Sequence, residues 1–96
     1  MTSSEYLRLL RAFKQSHAGR YGITRIGIFG SVARGEQTEN SDVDVCIEAP
    51  SMGLMSLSGL YLELEELFGV PVDVVRMNRY MNPQLKQRIE KEAIYV

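Results

Sequence analysis

Asp42 and Asp44 stand two residues apart with Val43 between them. In a β-strand that spacing puts both carboxylates on one face, ~6–7 Å apart along the backbone. Aspartate is depleted in strands, so a pair on one face needs a physical reason. Their repulsion raises one or both carboxyl pKa values unless a cation stands between them. A polar edge strand facing solvent accounts for the same two residues, and a D-x-D pair alone does not choose between these readings.

The residues on either side add weight to the chemical reading. Gly30-Ser31 directly follows an apolar stretch, and Gly35 comes four residues after Ser31. Ser31 to Arg34 can form one helical turn. A strand, a tight glycine turn and the start of a helix leave free backbone N–H groups, which suit a phosphate. Gly30 allows close backbone approach and Ser31 offers a hydroxyl donor. A third carboxylate, Asp73, lies between Val72 and Val74. An aspartate flanked in this way is either paired, here with Arg25 or Arg76, or functional, because burying it unpaired is costly. If its strand lies beside that of Asp42 and Asp44, three carboxylates meet at a phosphate-binding turn. Such a place takes a divalent metal and a triphosphate.

The elements that must position these residues alternate between helix and strand. Thr2-Ser3-Ser4-Glu5 reads as a capping box for a first helix. Tyr6, Leu9, Leu10, Phe13 and His17 form its apolar stripe, and Gly19 is its expected stop. Strands are expected over Ile23–Phe29, Asp42–Glu48 and Val70–Arg76. In the second of these, Val43, Val45 and Ile47 face one way, and Asp42, Asp44, Cys46 and Glu48 the other. A helix after Gly53 presents Leu57, Leu60, Tyr61, Leu64, Leu67 and Phe68, and Gly69 ends it. Asn82-Pro83 opens a last helix, with asparagine as cap and proline in the first position. Ile94-Tyr95-Val96 reads as a short terminal strand. The pattern implies an α/β fold, a mixed central sheet of about four strands flanked by helices.

The 96 residues suit a single domain spanning 1–96. No apolar run approaches the roughly 20 residues that cross a bilayer, and Met1 to Glu5 lacks the layout of a signal peptide. The lone Cys46 cannot close an internal disulfide, and a cytoplasmic location is expected. A net charge of −1 argues against general nucleic-acid binding. The charge is uneven. Residues 1–75 carry six basic and ten acidic side chains, whereas residues 76–96 carry Arg76, Arg79, Lys86, Arg88 and Lys91 against Glu90 and Glu92. Such a segment is either a solvated face or a rim that attracts a triphosphate or an acidic partner, which would put Arg76, Arg79 or Arg88 near the mouth of the site. His17 falls on the packed stripe of its helix. Met55 and Leu62 lie opposite the main stripe of theirs, as isolated exposed residues or as part of a partner surface.

Taken together, Gly30-Ser31-Val32-Ala33-Arg34-Gly35-Glu36, Ser41-Asp42-Val43-Asp44 and Val72-Asp73-Val74 resemble the signature of the DNA polymerase beta-like nucleotidyltransferase superfamily. Within it, the chain most resembles the minimal nucleotidyltransferases, the antitoxin partners in HEPN/MNT toxin–antitoxin pairs. The likeness runs over nearly the whole chain, without the nucleic-acid grip or acceptor domain of larger relatives. It implies that Asp42 and Asp44 hold two Mg²⁺ ions, that Asp73 holds the ion nearer the acceptor, and that Gly30 and Ser31 bind the β- and γ-phosphates of ATP. It also implies a HEPN toxin as partner, with a tyrosine of that toxin as the adenylylated group. Two alternatives stand beside this reading: transfer to a small hydroxylated molecule such as an aminoglycoside, met by a homo-oligomer, and an antitoxin that acts by binding alone.

Overall fold

The structure is a computed structural model that describes residues 1–96. Four helices and four strands follow one another as α1 (Ser3–Tyr21), β1 (Arg25–Phe29), α2 (Gly30–Arg34), β2 (Val43–Glu48), α3 (Leu54–Phe68), β3 (Val72–Arg76), α4 (Pro83–Glu92) and β4 (Ile94–Tyr95). The α/β class and the four-stranded sheet agree with the sequence reading.

Helix α1 starts as its cap dictates, with Thr2 Oγ1 accepting the Glu5 N–H at 3.2 Å. It runs past Gly19, the expected stop, and ends at Gly22, which takes the left-handed conformation. A glycine inside a helix costs only about 1 kcal/mol against alanine. Buried Ala18 before it and half-buried Tyr21 beyond it pack on the core and outweigh that cost. The three long strands are each shorter at the start than expected. Pro71 has no N–H to add to a ladder, so β3 begins at Val72, while the Pro71 carbonyl accepts the Val43 N–H at 3.0 Å.

The sheet has the order β3-β2-β1-β4. Strand β1 pairs antiparallel with β2 and β4; β2 pairs parallel with β3. The parallel pair needs a crossover, which α3 supplies. One sheet face carries Ile26, Ile28, Val43, Val45 and Ile47 into a core with Leu10 of α1 and Leu60 and Leu64 of α3, all fully buried. The other face carries Phe29 and Cys46 against Ile89 of α4. Helices thus cover both faces, and α4 stands on the face that bears Asp44. At the open edge of β3, the Tyr61 hydroxyl accepts the Val74 N–H at 3.1 Å and lies 3.2 Å from the Val74 carbonyl. That contact occupies backbone groups that would otherwise offer a pairing edge.

Candidate active site

The site forms where β1 hands over to α2. Phe29 is buried and anchors the end of the strand. The chain then turns through Gly30, whose φ of +74° is a left-handed value, into the single turn of α2. Opposite Phe29 in the ladder stands Asp44. A Cβ at position 30 would run into the Asp44 carboxylate, 3.1 Å from its Cγ and closer still to Oδ2. Glycine is therefore required twice here, by backbone conformation and by space. Ser3 fixes the other end of the turn, its hydroxyl donating to the Val32 carbonyl at 2.6 Å.

The β2–β3 register sets Asp73 directly beside Asp44. Neighbours in a parallel ladder point the same way, so these two carboxylates share a face. Asp42 lies one residue ahead of β2 and is exposed. Burial pushes the Asp44 carboxyl above the usual carboxylate range, and the charges of Asp73 and Asp42 push it further. Arg88 and Arg34 oppose the shift. Asp73 itself is exposed rather than buried, since β3 is an edge strand. The ion pair to Arg25 or Arg76 is absent. Arg25 bonds Glu48 at 2.8 Å and Arg76 donates to the Ala49 carbonyl at 3.1 Å. The hydrogen-bond partner of the Asp73 side chain is Tyr61, its hydroxyl 3.4 Å from Oδ1.

No three His, Cys, Asp or Glu side chains close into a cage around one point. Magnesium rarely needs one. It keeps several waters and is held by one or two carboxylates together with substrate phosphates. An all-oxygen donor set, with one carboxyl raised by burial and by its neighbours' charges, fits that ion.

Of the three basic residues expected at the mouth, Arg88 is there and two are not. Arg88 lies 5.9 Å over the Phe29 ring and pairs with Glu92 at 3.5 Å. Arg76 sits three residues up β3 from Asp73, and Arg79 lines a separate cavity with Arg25, Glu48 and Tyr95. Arg34 and Glu92, which the sequence did not single out, meet at the turn. Glu92 Oε2 accepts the Gly30 N–H at 3.2 Å and Arg34 Nη1 at 3.0 Å. The i,i+4 spacing from Arg88 was the one signal for Glu92 in the sequence, and Arg34 stood within the signature stretch without a role of its own.

The remaining candidates fall outside the site. His17 stacks on Phe13 with ring centroids 4.8 Å apart, in a cavity lined also by Glu63, Glu66 and Leu67. Cys46 shares the Asp44 face but is fully buried beneath α4, where burial raises its thiol pKa. Leu54, Met55 and Leu62 of α3 are exposed. None of the four cavities is lined by Asp42, Asp44 or Asp73, so the carboxylates open onto surface rather than into a pocket. No helix is long and apolar enough to cross a membrane.

Comparison with known proteins agrees with this fold. A family model described as nucleotidyltransferase domain matches residues 8–96. A Methanocaldococcus jannaschii chain that carries the provisional name protein adenylyltransferase is 40% identical, over 99% of this chain and 98% of its own length. Protein adenylyltransferase MntA of Thermococcus cleftensis is 36% identical over 100% of this chain and 97% of its own. Among solved structures, one provisionally described as a minimal nucleotidyltransferase superposes with a TM-score of 0.79 at 40% identity, covering 98% of this chain and 95% of that one. A chain from a toxin–antitoxin structure with AMP-PNP shares the fold, with a TM-score of 0.71 at 23% identity over 99% of this chain and 72% of that one.

Proposed function

The chain belongs to the nucleotidyltransferase domain family, and from that membership we propose that it moves AMP from magnesium-bound ATP to a tyrosine hydroxyl of a HEPN toxin, acting as the antitoxin of the pair. One observation carries the reading: Asp44 and Asp73 stand side by side in the ladder, next to a glycine turn that only a hydrogen at position 30 keeps open. Asp42, Asp44 and Asp73 are the carboxylates that would hold the metal, which would supply neutralisation of the triphosphate charge.

The chain's own groups do the rest. Gly30 and Ser31 bind the β- and γ-phosphates through the turn N–H and the hydroxyl. The acceptor oxygen forms a bond to the α-phosphorus as the bond to the β-phosphate bridging oxygen breaks, and pyrophosphate leaves. Exposed Asp73, on the edge strand, is placed to take the proton of the incoming hydroxyl. Positioning and electrostatics supply most of the acceleration in such a transfer.

The open setting of the carboxylates favours a macromolecular acceptor. A protein brings its own surface to cover the mouth. Relatives named protein adenylyltransferase, and a shared fold with chains of MntA–HepT assemblies, point to a toxin as that protein.

The test is intact-mass analysis of a HEPN partner after incubation with this chain, Mg²⁺ and ATP. The expected result is the mass gain of one or more adenylyl groups, lost when the acceptor tyrosine is replaced by phenylalanine. A partner that is neutralised with no mass gain would establish the binding-only antitoxin instead.

A further inference from the structure

Glu92, at the end of α4, places one carboxylate oxygen among two donors of α2 and a guanidinium group of its own helix. They are the Gly30 N–H at 3.2 Å, Arg34 Nη1 at 3.0 Å and Arg88 Nε at 3.5 Å. One backbone amide and two guanidinium groups converging on a single anionic oxygen is the contact set of a phosphate oxygen. The Glu92 side chain is 20% exposed, while those of Arg34 and Arg88 are 39% and 49% exposed and keep N–H groups free toward solvent. The cluster stands against the Asp44 carboxylate, since Gly30 touches both.

We infer that Glu92 is a resident anion which the triphosphate displaces from the Gly30 turn, freeing Arg34 and Arg88 for the phosphate. The inference rests on the nucleotide-transfer reading above and adds to it a competitor built into the chain. In the free protein Glu92 keeps Arg34 and Arg88 aimed at the turn and neutralised. The incoming phosphate takes over the amide and both guanidinium groups, and Glu92 swings to solvent. Its cost is affinity, because a ligand that binds only the displaced state has an apparent dissociation constant equal to the intrinsic one divided by the fraction of molecules in that state.

The experiment is calorimetric titration of Mg²⁺–AMP-PNP into the wild type, Glu92→Gln, Glu36→Gln and Arg34→Gln/Arg88→Gln. Glu92→Gln keeps the size and an acceptor oxygen but drops the charge, and affinity should rise ~10-fold. Glu36 also pairs with Arg34, at 3.3 Å, but has no bond to the turn amide. Its variant controls for the general field and should change affinity far less. The double arginine variant should bind ~10-fold more weakly or worse. In the wild type, the Gly30 amide resonance should shift on saturation with Mg²⁺–AMP-PNP, a readout that needs no variant to fold. Affinity for Glu92→Gln equal to that of the wild type or of Glu36→Gln overturns the inference and leaves nucleotide transfer standing, whereas an unmoved Gly30 amide at saturation overturns the inference together with the phosphate-binding role of the turn. A wild type that does not bind Mg²⁺–AMP-PNP overturns both.

Discussion

An alanine methyl at position 30 would fall on the Asp44 carboxylate, at a φ of +74° that L-residues rarely adopt. Gly30→Ala should therefore cost about 1–3 kcal/mol of stability from backbone strain alone, measured by urea unfolding. It should also weaken nucleotide binding, because Asp44 and the turn can no longer approach each other. A variant as stable as the wild type would show that the turn does not hold this conformation. At this scale the sequence exposed part of the site plainly. Asp42, Asp44 and Asp73 were legible because carboxylates are out of place in apolar strands. Gly30 was legible because it ends one. Arg34 and Glu92 were not, because a charged residue on a helix ordinarily means a solvated face. Only the tertiary arrangement brings residue 92 to residue 30. The reading of Asp73 also overstated its burial: alternation with valines marks a strand but does not say whether that strand lies at an edge.

Among the elements, α4 does the most to complete the site, since it carries both Arg88 and Glu92 and buries Cys46 and Phe29 beneath Ile89. Its first turn depends on Asn82, whose Oδ1 accepts the N–H groups of Gln84 at 2.9 Å and Leu85 at 3.1 Å. Asn82→Ala should cost about 1 kcal/mol in global stability. The loss should appear first as faster amide exchange in the first turn of α4. An unchanged unfolding midpoint would mean that packing of Ile89 alone holds the helix. The caps of α1 and α4 were readable in the sequence because Thr2 and Asn82 act through neighbours two or three residues away. The end of α1 was misread at Gly19 because the choice between two glycines three residues apart is made by distant packing, here of Ala18 and Tyr21 on the core. The pairing order β3-β2-β1-β4 is likewise a tertiary outcome. Local pattern showed the strands but not which of them would be neighbours.

For the molecule as a whole, the division between an acidic body and a basic C-terminal segment resolves into two unlike parts. Arg88 turns toward the carboxylates, whereas Arg76 and Arg79 serve the far end of the sheet. The basic segment is thus not one electropositive rim, and Arg88 with Arg34 supplies the positive charge at the mouth. Carboxylates, turn and guanidinium groups make an assembly with opposed charges, which the proposed function reads as a place for metal and triphosphate together. Thermal unfolding tests that claim most directly. Mg²⁺ with ATP at about 100 times the dissociation constant should stabilise the wild type by about 2.7 kcal/mol, because the ligand binds only the folded chain. In a domain of this size that is a clear rise in Tm. ATP with a chelator should give much less, and Asp44→Asn, folded and free of the repulsion at that position, should give no metal-dependent rise. Equal shifts with and without Mg²⁺, or a full shift in Asp44→Asn, would contradict a shared site for cation and triphosphate at these carboxylates.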